Sequence, residues 1–180
     1  MRIISGIYKN REFSTPDDIK THPMGSREKL ALFNMLLPYL SEKIVLDAFS
    51  GSGALGFESL SRGAKRVVFV EKNKKIAKII KNNCETLKIP PETYEILAKD
   101  VNKLDLPSNK FDIILADPPY DNFRIEEIKN LVNFLKPGGI LALSSPKVPD
   151  LNEVASELPS LELLSSHTYA AARISLFKKI

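Results

Sequence analysis

The chain has 180 residues, 43% hydrophobic, 27% charged and 8% aromatic, which suits one globular domain and excludes a disordered, collagen-like or disulfide-rich chain. One cysteine, Cys84, cannot close an internal disulfide, and two histidines cannot complete a zinc site of His and Cys ligands, so a cytoplasmic protein without a metal is expected. A net charge of +4 permits a polyanionic partner without requiring one, and no apolar run approaches the roughly 18 residues of a membrane span.

Met1 to Phe13 alternates charged and apolar residues and lacks the apolar stretch of a signal peptide, so the expectation is a soluble, untargeted chain. Arg2 to Ile7 and Arg11 to Ser14 read as two short strands of a hairpin that turns through Tyr8-Lys9-Asn10, where Asn tolerates unusual backbone angles. A polar stretch from Thr15 to Gly25 follows. Ser26 is then expected to cap a helix whose apolar residues Leu30, Leu32, Phe33, Leu36, Leu37 and Leu40 recur at helical spacing. Residues 1–42 thus form an appendage to a core of 43–180, the two making a single domain.

From Ile44 onward, short apolar runs alternate with helical stretches. The runs are Ile44 to Phe49, Val67 to Glu71, Tyr94 to Ala98, Phe111 to Ala116 and Ile140 to Ser144. Continuous apolar runs mark strands buried on both faces, and the helices expected near Ala54 to Ser61, Lys74 to Leu87 and Ile125 to Phe134 supply the crossovers of a parallel α/β sheet. Pro137-Gly138-Gly139 is expected to end the last helix, and Leu161 to Thr168 and Arg173 to Lys178 to add two more strands.

The first core strand runs into Asp47-Ala48-Phe49-Ser50-Gly51-Ser52-Gly53-Ala54-Leu55-Gly56, in which Gly51, Gly53 and Gly56 spell G-x-G-x-x-G ahead of a helix. Glycines let backbone approach a ligand closely, and Glu71, twenty residues after Gly51, ends the next strand where a carboxylate can accept from ribose hydroxyls. Loop and acid indicate an adenosine-type cofactor. Asp47 favours S-adenosylmethionine over a dinucleotide, since a carboxylate there repels a pyrophosphate but attracts a cationic amine.

Asp117-Pro118-Pro119-Tyr120 closes the run Phe111 to Ala116, at a strand's carboxyl end, where open α/β sheets place ligands. The tetrapeptide suits an exocyclic amine, whose lone pair is delocalised until its N–H groups are held. The Asp117 carboxylate and the Pro118 carbonyl can each accept one N–H and aim the lone pair at a methyl donor. The two prolines fix φ and steady the acceptors, and Tyr120 offers a ring on which an extruded base can rest. Asp100, after the third strand, is a candidate for the adenine amino group or, equally, caps a turn with Asn102.

Other residues read as structural. Lys74, Lys78 and Lys81 line a solvated helix face, and Cys84 is a small packing residue. Ser50 and Ser52 lack G-x-S-x-G spacing, and His22 and His167 have no motif partner, so hydrolase chemistry finds no support.

The glycine-loop block from Asp47 to Ala64, Val70-Glu71-Lys72-Asn73, Asp117-Pro118-Pro119-Tyr120, the opening Met1 to Gly6 and Leu32-Phe33-Asn34 together resemble the bacterial 16S rRNA guanine-N2-methyltransferases over nearly the whole chain. The resemblance implies a Rossmann-like class I methyltransferase fold: a mostly parallel seven-stranded sheet with helices on both faces and an N-terminal hairpin that helps engage RNA. It implies S-adenosylmethionine as cofactor, with Asp47, Phe49, Gly51 and Gly53 around the methionyl part, Glu71 at the ribose, and Asp100 and Val101 at the adenine. Asp117 to Tyr120 then hold the guanine, and ribosomal RNA is the partner expected, in a small-subunit assembly intermediate, with the enzyme a monomer. Lys9, Asn10 and Arg11 at the hairpin tip, with Arg27 and Lys29 near the first helix, are placed to meet its phosphates if the appendage overhangs the site, and His22 is a further RNA candidate. The chain departs from the family pattern at His22 to Leu30, where Arg-Pro-Thr and a basic-Glu pair are usual, and at Ala170, where the family has glycine after the late tyrosine. Asp-Pro-Pro-Tyr is shared with adenine-N6 methyltransferases, so that activity stays open, as do a non-catalytic RNA-binding assembly factor and a nicotinamide-dependent oxidoreductase.

Overall fold

The computed structural model describes residues 1–16, 24–169 and 172–180. Seven strands make one sheet: β1 Ile44–Asp47, β2 Arg66–Val70, β3 Tyr94–Leu97, β4 Phe111–Ala116, β5 Leu135–Ser145, β6 Leu161–Thr168 and β7 Arg173–Lys179, in the order β3-β2-β1-β4-β5-β7-β6. The first five are parallel, and β7 inserts antiparallel between β5 and β6. The expected seven-stranded, mostly parallel sheet is therefore the one observed. β1, β2 and β4 are apolar throughout most of their length because both their faces are covered, by α1 Ser26–Leu40, α2 Ala54–Ser61 and α3 Lys74–Thr86 on one side and by α4 Ile125–Val132 and α5 Leu151–Ser156 on the other.

The expected N-terminal hairpin is present but short: Arg2 bridges Glu12, Met1 and Phe13 exchange backbone N–H to carbonyl bonds, and the Ile3 and Asn10 amides donate to the Arg11 and Ile3 carbonyls. Past Ile3 the amides are diverted. Ile4 and Ser5 donate to the Glu58 carboxylate at 2.8 and 3.1 Å, and Ile7 donates to the Ser61 carbonyl at 2.8 Å, so the segment is stitched to α2 and the ladder goes no further. The turn does use Asn10 at φ +66°. Ser26 is the first residue of α1 and does not cap it; Gly25 holds the cap position without a side-chain bond.

Pro137-Gly138-Gly139 ends no helix. α4 stops at Val132, and β5 begins at Leu135, which pairs with Phe111 before a register shift leads to Ile113 opposite Ile140. The Pro-Gly-Gly run is thus the irregular part of an 11-residue strand, five residues longer at its start than the apolar pattern indicates. α5 carries a capping box of Asp150 and Glu153, a signal too short to stand out in the sequence.

Candidate active site

Because β1 to β5 are parallel, all their carboxyl ends lie along one edge. The sheet is built outward from β1 through β2 and β3 on one side and from β4 through β5 on the other, so the topological switch point lies between β1 and β4. Asp47 ends β1 opposite Leu115, and Asp117 follows β4, so the two carboxylates flank that crevice.

The glycine loop is fixed from behind. Ser50 donates its hydroxyl to the Asp47 carbonyl at 2.8 Å and accepts from the Val70 amide at 2.9 Å, while its own amide donates to the Val70 carbonyl. This serine, which matches no catalytic spacing, is the loop's tie to β2, and only the fold reveals it. Gly51 and Gly53 sit at φ +52° and +84°, where side chains are strained. A Cβ on Gly51 would point into open space, whereas one on Gly56 would lie 2.1 Å from the Phe69 ring. Gly51 therefore keeps a cradle clear, and Gly56 lets α2 close onto β2.

Glu71 accepts from the Gly51 amide at 3.0 Å and from the Asn73 amide at 2.8 Å, joining the end of β2 to the loop. Asp47 is buried, and its Oδ2 accepts from the Gly56 amide at 3.0 Å. Burial pushes its carboxyl up to about 7; the Gly56 amide pulls it back, and the charges of Asp117 and Glu71 add to the rise. Three carboxylates converging on a glycine cradle favour a ligand that brings a positive charge.

Asp117 is partly covered, and burial pushes its carboxyl up to about 6 against the opposing pull of the Ser144 and Tyr120 hydroxyls. The Tyr120 hydroxyl lies 3.5 Å from Asp117 Oδ1 and 2.6 Å from Ser144 Oγ. Ser144, on β5, is the third member of this group, and no motif marks it. Pro118 is buried and Pro119 exposed, with a single helical turn, Tyr120–Asn122, behind them. Asp100 makes the turn contact foreseen for it, accepting from the Asn102 amide at 2.9 Å, and Val101 and Phe49 pack against the α4 side of the core.

The candidate RNA residues separate. Helices α2 and α3 run back from the carboxyl edge, so Ser61 and Leu87 at their far ends lie at the opposite edge. The turn with Lys9 and Arg11 rests there: the Tyr8 amide donates to Ser61 Oγ, and Arg11 Nη1 donates to the Leu87 carbonyl at 2.8 Å while stacking over Tyr8. The described hairpin residues therefore do not overhang the site, and Lys29, buried in α1, is not free to meet a phosphate. Arg27 is exposed in the first turn of α1, next to Glu28, whose charge acts on Tyr120. His22 and Ala170 lie outside the described residues. Lys74, Lys78 and Lys81 are exposed as expected, and Cys84 is buried with its thiol pushed up to about 12 by burial, which leaves it unreactive.

A family model described as conserved hypothetical protein 95 matches residues 1–178. The chain is 37% identical to ribosomal RNA small subunit methyltransferase D of Haemophilus influenzae over 153 residues, 82% of this chain and 79% of that protein. It is 32% identical to the protein of the same name from Escherichia coli K12 over 142 residues, covering 79% and 70%. Among solved structures, "Putative methyltransferase yhhF from Escherichia coli" superposes with a TM-score of 0.84 at 26% identity, covering 99% of this chain and 97% of that one.

Proposed function

The chain belongs to the conserved hypothetical protein 95 family and is similar over most of its length to small-subunit rRNA methyltransferases D, and on that premise we propose that it methylates the exocyclic N2 amine of a guanine in small-subunit ribosomal RNA. The observation that carries the reading is the pairing, across one switch point, of a glycine cradle ringed by carboxylates with Asp117-Pro118-Pro119-Tyr120.

S-adenosylmethionine fits the cradle, and when bound it supplies a methyl group made electrophilic by its sulfonium. Asp47, Phe49, Gly51 and Gly53 would face its methionyl part, Glu71 its ribose, and Asp100 and Val101 its adenine. The open space at Gly51 and the acidic surroundings of Asp47 both suit a cationic amino acid moiety. Asp117 and the Pro118 carbonyl accept the two N–H bonds of the guanine amine, so its lone pair is directed at the methyl group. The amine loses one proton on transfer, and Asp117, whose carboxyl is raised toward neutrality, is placed to receive it directly or through water. Tyr120, oriented by Ser144, supports the extruded base. The protein acts as a monomer of a single domain in the cytoplasm, on an assembly intermediate of the subunit.

The test is to incubate the protein and labelled cofactor with unmodified small subunits, naked ribosomal RNA and DNA, and to identify the methylated nucleoside by mass spectrometry. N2-methylguanosine is expected; N6-methyladenosine refutes the assignment. Asp117→Ala is expected to abolish methylation with cofactor affinity nearly unchanged, and an equal loss of both sinks the role given to Asp117.

A further inference from the structure

The carboxyl edge of the sheet carries a feature that no motif marks. β5 ends at Ser145, and the chain leaves through Pro146-Lys147-Val148-Pro149 before Asp150 caps α5. Arg173 opens β7 opposite Ser145 and is 8% exposed. Its Nη2 donates to the Lys147 carbonyl at 2.9 Å and its Nη1 to the Pro149 carbonyl at 3.2 Å. A guanidinium suits this task because its donors form a rigid planar fork that can hold two acceptors at once. The residue between those carbonyls, Val148, is 83% exposed, and Lys147 is exposed beside it. With Val148 turned outward between the half-buried Pro146 and Pro149, the arginine behind the loop fixes the two carbonyls on either side of the valine.

The loop borders the base-holding group. Ser144, 2.6 Å from the Tyr120 hydroxyl, stands three residues before Lys147. A chain spans at most about 3.6 Å per residue, which keeps the Lys147 Cα within about 11 Å of that of Ser144. The first turn of α1 carries the exposed Arg27 next to Glu28, whose charge acts on Tyr120.

We propose that residues 146–149 form the RNA-facing lip of the base pocket. Lys147 takes a phosphate next to the target nucleotide, and Val148 packs against the neighbour left unstacked when the guanine is extruded. Arg173 is the positioning residue that holds both in place. This rests on the proposed methylation of ribosomal RNA and names how the substrate strand is gripped.

The experiment measures methylation of unmodified small subunits and, by fluorescence anisotropy, binding of a labelled single-stranded rRNA fragment across a salt series. Lys147→Ala is expected to weaken RNA binding about fivefold at 0.1 M salt and to make the dependence of log K on log salt shallower by about 0.7, one phosphate contact on a single strand. Val148→Ser should raise KM for RNA about threefold with the salt slope unchanged, since a stacking or apolar contact releases no counterion. Arg173→Gln should lose both contributions while cofactor affinity holds, and the Lys147→Ala/Arg173→Gln double variant should be no worse than Arg173→Gln alone.

If Lys147→Ala and Val148→Ser bind and methylate like a wild type that is active on rRNA, the lip is overturned and the functional reading stands. If the double variant shows the sum of the single losses, Arg173 does not act through the loop. Should Arg173→Gln fail to fold, the Lys147 and Val148 variants decide. A wild-type protein that methylates no RNA overturns the functional reading, and the lip with it.

Discussion

Asp47→Asn tests the electrostatics of the cradle most directly. Asp47 is 1% exposed, and a rise from 3.8 to about 7 corresponds to about 4 kcal/mol, at 1.36 kcal/mol per pKa unit, against holding it ionised in the unliganded protein. The folded state prefers the protonated carboxyl. Its favourable share of stability is therefore present in full below about pH 4 and is lost as pH rises through about 7. Asparagine keeps an oxygen to accept from the Gly56 amide and never ionises. At pH 8 the unliganded variant should be more stable than wild type by up to about 4 kcal/mol, with the difference within about 1 kcal/mol at pH 4. Cofactor affinity should move the other way, by about 1.5 to 3 kcal/mol, tenfold or more, because the carboxylate no longer attracts the cationic amine. Urea unfolding at the two pH values and calorimetric titration with S-adenosylmethionine read both effects. A variant no more stable than wild type at pH 8 refutes the strain assigned to burial, and unchanged affinity refutes the role assigned to the charge.

The pH profile of methylation should follow Asp117, which must be ionised to accept from the amine: kcat/KM should climb with pH and level off above about 6, and a flat profile between pH 5 and 8 excludes the carboxylate as acceptor. Gly56→Ala places a Cβ 2.1 Å from the Phe69 ring and should lower stability by about 2 to 3 kcal/mol in a thermal melt; a neutral result means that α2 can move off β2 without loss. Glu58→Ala removes the acceptor of the Ile4 and Ser5 amides and of Arg62 Nε, and leaves Arg62 and the buried Lys29 without their carboxylate. A loss of about 3 to 5 kcal/mol is expected from denaturant unfolding, together with faster proteolysis near the N-terminus. Retention of wild-type stability would show that the apolar contacts through Ile3 and Phe13 and the bonds to Ser61 and Leu87 suffice to hold the N-terminal segment.

The sequence by itself determined the α/β alternation, the glycine loop with its acid on the following strand, and the placement of Asp117-Pro118-Pro119-Tyr120 at a strand end. These are local properties: an apolar run, a spacing of glycines and the φ of proline are fixed by residues near one another in the chain. Tertiary structure decided what depends on distant partners. Glu58 and Ser61, more than fifty residues from Ile4 and Tyr8, take the amides that would have lengthened the hairpin and carry Lys9 and Arg11 to the edge away from the site. Pairing with β4 extended β5 back through Pro137-Gly138-Gly139, against the local turn signal. Ser50, Ser144 and Arg173 acquire their roles only because β1, β2, β4, β5 and β7 bring them beside partners remote in sequence, and a hydrogen bond across strands leaves no spacing to read.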